Sequence, residues 1–216
     1  MASRSYRLLS DSGHAPCAFE SISDLIKVTD ENCLELGSGL LTLSTCARNV
    51  RLGVNEGDYV FGIAGSGFKE KAGKLIWAGR VSSVMSKADY FNAFGNRPDS
   101  YYMMKDGKYV QIANPFHDMS EMKSDLHPAN VLLFKDEWWY FGSKASEPVP
   151  RELMAERQEA KILDAHKVHE FIFYIKSKHQ KNRVLGQPND IDRQYLLDSG
   201  RLSMRDYLKL WKCIKK

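Results

Sequence analysis

The chain has 216 residues, 43% of them hydrophobic, and a formal net charge of +4, a composition typical of one folded domain with at most a modest appendage. No window approaches the ~18 continuous apolar residues that span a bilayer, and the first residues are polar. We therefore expect a cytoplasmic protein without a membrane segment or signal peptide. The four scattered cysteines form no CxxC pair, so we expect reduced thiols, no metal and no other cofactor.

Short apolar runs separated by glycine, asparagine and proline fill the first two thirds of the chain. They predict strands over 6–9, 40–45, 59–64, 75–81, 109–112, 131–134 and 138–141. Short helices are predicted over 21–26 and 86–94, the second with Ser86 as its N-cap. Many short strands with few helices favour an α+β domain built on a mixed, partly closed β-barrel.

The glycine-rich loop between the runs 59–64 and 75–81 connects one strand to another. A phosphate-binding glycine loop runs instead from a strand into a helix, whose N-terminus faces the anion. The glycines at 62, 65 and 67 also fit neither GxGxxG nor GxxxxGK[ST]. The segment therefore predicts a β-hairpin of a small barrel.

The spacing of the apolar residues changes at Pro148 and Pro150. We take these prolines as the boundary between a domain over 1–150 and a helical extension over 151–216. Apolar residues at helical spacing predict one helix of about seven turns; they are Met154, Ile162, Ala165, Val168, Ile172 and Ile175. Gly186 and Pro188 end it. Two shorter helices are predicted beyond, one capped by Asn189 or Asp190 and one running from Ser203 through Trp211.

Positive charge is concentrated in this extension. Residues 1–149 carry a net charge of −2, whereas residues 150–216 carry +6. Such asymmetry is typical either of a polyanionic partner or of a solvated basic helix face. The candidates for contact with a nucleic-acid backbone are Lys176, Lys178, Lys181 and Arg183.

No nucleophile with an adjacent base, and no metal motif, is evident in the sequence. His14, Cys17 and Cys46 could share a metal only by an unusual spacing. Asp11 and Asp99 lie next to turn residues in different segments, where capping a turn is the simpler role. Aromatic residues such as Tyr90 and Tyr101 are interleaved with polar ones, a mixture compatible with a pocket for a flat base as well as with an ordinary core.

Several segments, in this order, resemble the second family of nucleotide-modification-associated domains, which are small bacterial and phage domains linked to hypermodified bases. The matching stretches are DSGHAPCAF (11–19), LLTLSTCARNVR (40–51), GDYVFGIAGS (57–66), WAGRV (77–81), DYF (89–91), RPD (97–99) and NVLLF with WWYFG (130–142). Residues 20–39 are an insertion relative to that pattern, and Ala47-Arg48 replaces its Lys-Pro. More distantly, the hairpin is similar to PUA, ASCH and EVE domains, pseudo-barrels that bind RNA or modified bases. The resemblance implies a PUA-like fold and a DNA- or RNA-modification context.

The sequence therefore predicts a non-catalytic reader of a nucleotide or of a modified base in nucleic acid. The predicted nucleotide-binding residues are Thr45, Cys46, Arg48, Arg51, Ser66, Lys69, Tyr90 and Tyr101. In this interpretation the tyrosines stack on the base, the hydroxyls of Thr45 and Ser66 bond its edge, and the cations hold the phosphate. Two alternatives stay open: an enzyme that makes or removes a base modification, with Asp11, His14 and Asp99 transferring protons, and a protein-interaction module that uses the C-terminal helices.

Overall fold

The computed structural model describes residues 2–13, 15–19, 39–94, 99–111, 122–156, 159–186 and 188–189. The strands in this part of the chain are β1 (Arg4–Leu8), β2 (Cys17–Phe19), β3 (Leu40–Leu43), β4 (Tyr59–Ala64), β5 (Leu75–Arg80), β6 (Ser83–Ser86), β7 (Tyr102–Lys105), β8 (Lys108–Gln111), β9 (Asn130–Phe134), β10 (Trp138–Tyr140), β11 (Lys161–Ile162) and β12 (Arg183–Val184). The α-helices are α1 (Arg48–Gly53), α2 (Lys87–Ala93), α3 (Met122–Asp125) and α4 (Ala165–Lys178). Short 3₁₀ turns cover Ser66–Lys71, Gly142–Lys144 and Arg151–Leu153.

The predicted hairpin is confirmed and lies at the centre of a six-stranded sheet. β4 and β5 pair antiparallel from Tyr59 opposite Arg80 to Ile63 opposite Leu75. The strand order is β11-β1-β4-β5-β10-β12, and β1 joins β4 in parallel. Every residue of β4 is buried, because both of its faces are covered.

A second sheet has the order β2-β3-β9-β6, and β7 and β8 form a separate hairpin. The chain passes from the first sheet to the second between β5 and β6, where the Ser82 amide donates to the Leu133 carbonyl. Gly79 permits close contact between the sheets, since a Cβ there would lie 2.6 Å from the ring of Phe134. Phe134 in turn meets Trp77 edge to face.

The α+β class is confirmed, with many strands and few helices. The barrel is not: within the described ranges the six-stranded sheet ends at β11 on one side and β12 on the other, and no closed barrel forms. Both edge strands are only two residues long and come from the segment after Pro150. That segment thus completes the sheet as well as packing on it.

The prediction of one long helix after Pro150 is wrong. The helix α4 begins only at Ala165, with the side chain of Asp164 accepting from the Lys167 amide as its N-cap. Ile162, counted in the apolar stripe, lies instead in β11 and is 64% exposed. The buried face of α4 consists of Val168, Phe171, Ile172 and Ile175, which join the main hydrophobic core.

The N-cap of the second predicted helix is confirmed. Ser86 Oγ accepts from the Asp89 amide at 3.1 Å, and α2 begins at the next residue. The predicted helices over 21–26 and beyond Asn189 lie outside the described residues, as does His14. Among the helices that are described, none has both the length and the apolar character to cross a membrane.

Candidate functional site

The chain makes an unusual turn between β3 and α1. Cys46 and Ala47 both adopt left-handed backbone conformations, with φ of 53° and 38°. Such a conformation costs a residue other than glycine roughly 1–2 kcal/mol, so the surroundings must hold it in place. The amides of Val50 and Arg51 do so by donating to the Ala47 carbonyl. The turn leaves Cys46 exposed while Thr45, just before it, is buried.

Arg51 fixes this turn to a distant part of the chain. Its side chain is only 1% exposed, and its Nε donates to the Cys46 carbonyl at 2.9 Å. Its Nη1 donates to the carbonyls of Pro128 and Asn130, both at 2.8 Å. Burial lowers the pKa of Arg51 to about 10, so the guanidinium remains charged at neutral pH. Among the described residues, the hydrogen-bond acceptors of this buried cation are carbonyl oxygens and not a carboxylate.

A second buried cation, Lys87, attaches to the same segment. Its amide donates to the Ala129 carbonyl at 2.9 Å, between the two carbonyls that Arg51 contacts. The Lys87 side chain is fully buried, and its Nζ has no hydrogen-bond partner among the described residues. Burial, reinforced by the positive charge of Arg51, lowers the pKa of Lys87 to about 7, although Asp125 and Cys46 act in the opposite direction. Lys87 is therefore a desolvated amine held next to a permanent cation.

The hydroxyl of Thr45 is on the residue directly before Cys46, whose carbonyl accepts from Arg51. It is buried and has no hydrogen-bond partner in the described part of the chain. We call Thr45, Arg51 and Lys87 the Lys87 site. The site joins the end of β3, the helix α1 and the start of α2 through residues 128–130.

A satisfied polar network borders this site. The buried carboxylate of Asp99 accepts from Thr42 Oγ1 at 2.6 Å and from Tyr90 Oη at 2.8 Å. The Ser44 hydroxyl donates to the Asp99 carbonyl at 2.9 Å. We call Thr42, Ser44, Tyr90 and Asp99 the Asp99 network. Because Tyr90 follows Lys87 by three residues on α2, both side chains lie on the same side of that helix.

The structure brings together only part of the predicted nucleotide site. Thr45, Cys46 and Arg51 surround one turn, and Arg48 is exposed at the start of α1. Tyr90 and Tyr101 are fully buried, and the ring of Tyr90 packs against Phe91 and Phe94. Neither tyrosine presents a ring face to solvent, so their burial does not support a stacking role. A core position explains both rings, in the cluster formed by α2, β7 and the second sheet.

Ser66 and Lys69 lie on the exposed 3₁₀ turn that follows β4. This loop is anchored to the end of β1, where the Gly65 amide donates to the Leu8 carbonyl. No hydrogen bond or ion pair between described residues joins it to the β3–α1 turn. The hydrogen bonds therefore do not join these two predicted binding residues to the Lys87 site.

The alternative catalytic carboxylates, Asp11 and Asp99, fall into separate hydrogen-bond networks of the described residues. Asp11 is buried and accepts from Tyr140 Oη at 2.6 Å and from the side chain and amide of Asn189. Lys71 donates to the same Asn189 side chain. Both carboxylates accept bonds from side chains that fix them in place, an arrangement typical of structural roles.

The predicted backbone-binding residues form no continuous row of free cations. Lys176 pairs with Glu137 at 2.9 Å and Lys178 with Glu147 at 3.5 Å. Lys181 is exposed, and Arg183 lies on the edge strand β12, where its Nε donates to Gln180. Two of the four charges are thus paired with carboxylates that precede Pro150 in the chain.

Sequence reasoning missed Lys87, although one signal was present. Lys87 directly follows the N-cap Ser86, in the first turn of α2, where the helix dipole disfavours a positive charge. A lysine in that position suggests a reason beyond helix stability.

Comparison of the chain with protein-family models, curated proteins and solved structures finds no match. Within the described ranges, no three His, Cys, Asp or Glu side chains cluster in a way that could hold a metal ion. The chemistry of the Lys87 site is therefore inferred from its own residues, which are two buried basic side chains and a buried hydroxyl, with the exposed thiol of Cys46 next to them in sequence.

Proposed function

We propose that the protein binds a nucleotide, with the phosphate held at the Lys87 site, and acts as a reader of that nucleotide or modified base. The observation that carries this proposal is the buried ammonium of Lys87, which has no partner among the described residues. A buried amine that lacks a partner is strongly destabilising in its protonated form, so a site that keeps one needs a reason. Binding of an anion supplies that reason.

The electrostatics of the site favour a phosphate over a neutral ligand. Neither Lys87 nor Arg51 forms an ion pair with any described residue, while Asp125 acts on both charges only at longer range. The Asp125 carboxylate itself accepts from Tyr102 Oη at 2.7 Å. An anion next to Lys87 would stabilise its protonated form and complete its hydrogen bonds.

The resemblance to nucleotide-modification-associated domains supports this proposal by indicating a fold and a biological context. It implies a PUA-like arrangement of the strands and a bacterial or phage DNA- or RNA-modification context. The TCARNVR stretch (45–51) that carries part of the resemblance holds two of the three residues of the Lys87 site.

Titration calorimetry with nucleoside 5′-monophosphates and the matching nucleosides tests the proposal. We expect the monophosphates to bind, the nucleosides to bind at least about tenfold more weakly, and Lys87→Met to remove the difference. Lys108→Met is the matched control, because it removes the same charge from an exposed position of β8. Absence of binding to every nucleotide, or equal binding by Lys87→Met, would contradict the proposal.

One observation favours an enzyme as the second candidate. With a pKa of about 7, Lys87 is suited to accept or donate a proton at neutral pH, and the exposed thiol of Cys46 follows Thr45 of the same site. The proton-transfer residues would then be Lys87 and Cys46 instead of Asp11 and Asp99. Turnover of a modified nucleotide that Cys46→Ser abolishes, with binding retained, would establish this second function.

A further inference from the structure

We infer that the Lys87 site takes a terminal phosphate monoester, as on a free mononucleotide or a strand end, and not the internal phosphodiester of a continuous strand. This inference rests on the proposed function and names the class of ligand that the site accepts. It follows from the burial of the site, from its donors and charge, and from the basic residues outside it.

Burial limits how the ligand can be attached. The Nζ of Lys87 and the Oγ1 of Thr45 are both inaccessible to solvent, and Arg51 is 1% exposed. An internal phosphodiester carries a sugar on each side, so the strand would have to enter and leave through the protein around these three residues. A monoester is attached at one point only. It can approach from the exposed side of the turn, which Cys46 marks.

The donors and charges also match a monoester. A lysine ammonium has three N–H donors, all of which lack partners among the described residues, and the Thr45 hydroxyl adds a fourth polar group. A phosphate monoester offers three terminal oxygens and a charge of about −1.5 to −2 at pH 7. Lys87 and Arg51 together supply up to two positive charges, whereas a diester carries one negative charge.

Two of the four residues predicted to contact a nucleic-acid backbone already have carboxylate partners. Lys176 and Lys178, the first two of the predicted backbone contacts, are ion-paired with Glu137 and Glu147. Recognition of a continuous strand normally uses several free cations along the backbone. A ligand with one terminal phosphate has no need of them.

Three probes distinguish the ligand classes in competition calorimetry on the full chain: inorganic phosphate, a nucleoside 5′-monophosphate, and a dinucleoside monophosphate whose only phosphate is internal. We expect the mononucleotide to bind at least about tenfold more tightly than the dinucleoside monophosphate, and inorganic phosphate to compete with it for one site. Lys87→Met and, separately, Thr45→Val should reduce this preference. Lys108→Met should leave it unchanged.

The possible failures are distinguishable. If the dinucleoside monophosphate binds as tightly as the mononucleotide in a manner that depends on Lys87, the monoester inference is overturned and nucleotide binding at the site stands. If inorganic phosphate fails to compete, or Thr45→Val and Lys87→Met both retain the full preference, the phosphate does not lie at this site. If no probe binds, the proposed function fails and the inference fails with it.

Discussion

Two buried charged groups associated with α2, Asp99 and Lys87, differ in their hydrogen bonds. The Asp99 carboxylate receives hydroxyl bonds from Thr42 and Tyr90, and the hydroxyl of Ser44 bonds its backbone. The ammonium of Lys87, three residues before Tyr90, donates no hydrogen bond to a described residue. Both side chains are fully buried. The difference lies in their partners and not in their depth.

This difference separates a structural role from a functional one. A buried carboxylate with several donors rigidifies the core and belongs to the folded state itself. A buried amine without a partner weakens the folded state and persists where a ligand completes it. Opposite effects of substitution on stability are the clearest test of the contrast.

The largest effect is expected at Asp99. Replacing it by alanine leaves the hydroxyls of Thr42 and Tyr90 without their shared acceptor, so we expect a loss of about 3–5 kcal/mol in the free energy of unfolding, measured by urea denaturation. Tyr90→Phe removes one donor only and should cost about 1–2 kcal/mol. A change below about 1 kcal/mol for Asp99→Ala would show that the network is not structural.

Lys87 should respond in the opposite direction. Lys87→Met keeps a similar chain length and removes an ammonium that has no hydrogen-bond partner among the described residues, so we expect it to stabilise the ligand-free protein at pH 7 by about 1–4 kcal/mol. The midpoint of urea denaturation is compared with that of Lys108→Met, which should barely move. Destabilisation by Lys87→Met would mean that the amine has a stabilising partner, and the contrast with Asp99 would then be lost.

The hairpin of β4 and β5 and the N-cap of α2 could be predicted because their signals are local. Two apolar runs with a glycine-rich loop fix the hairpin, and Ser86 three residues before Asp89 fixes the start of the helix. The prediction of one long helix was wrong because β11 pairs with β1, about 150 residues earlier in the chain. Helical spacing of apolar residues cannot exclude such a pairing.

The site was only half predictable for the same reason. Thr45, Cys46 and Arg51 lie within one short stretch, so the local sequence was enough to predict that they belong together. Lys87 joins them through contacts with residues 128–130, some 40 positions away in sequence. The burial of Tyr101 likewise depends on the packing of α2 and β7 against the second sheet. Neither arrangement has a signature in a local pattern.

The pH dependence of stability sharpens the contrast further. Lys87 has a pKa of about 7 in the folded protein, against 10.5 for an ordinary lysine. Between these values the unfolded chain binds one more proton than the folded chain, so the free energy of unfolding rises with pH. The expected slope approaches about 1.4 kcal/mol per pH unit between pH 7 and 10.

Urea midpoints of the unliganded protein from pH 7 to pH 9.5 test this slope, which Lys87→Met should remove and Lys108→Met should retain. The charged or titratable groups that act on Lys87 are Arg51, Asp125 and Cys46. Because Cys46 is one of these groups, both proteins are compared in a Cys46→Ser background. Parallel profiles for the proteins with and without Lys87 would contradict the lowered pKa.

The smallest effect is expected at Glu147, a carboxylate that is buried like Asp99 but has the half-exposed side chain of Lys178 among its partners. It accepts from Tyr174 Oη at 2.6 Å, lies 2.9 Å from His179 Nε2 and pairs with Lys178, all in or next to α4. Burial alone raises the pKa of Glu147, but the bonds from Tyr174 and His179 and the charge of Lys178 outweigh it and leave the pKa below its usual value. Its contribution to stability is therefore present above the usual glutamate pKa of 4.5 and is lost as the pH falls through the lowered folded value.

We expect Glu147→Gln to cost about 0.5–1 kcal/mol at pH 7, with the difference from the unsubstituted protein vanishing in acid. Glu170→Gln, in the exposed pair with Lys167, is the control and should change nothing measurable. A loss at Glu147 as large as that at Asp99 would show that the exposure of a partner does not set the strength of these carboxylate networks.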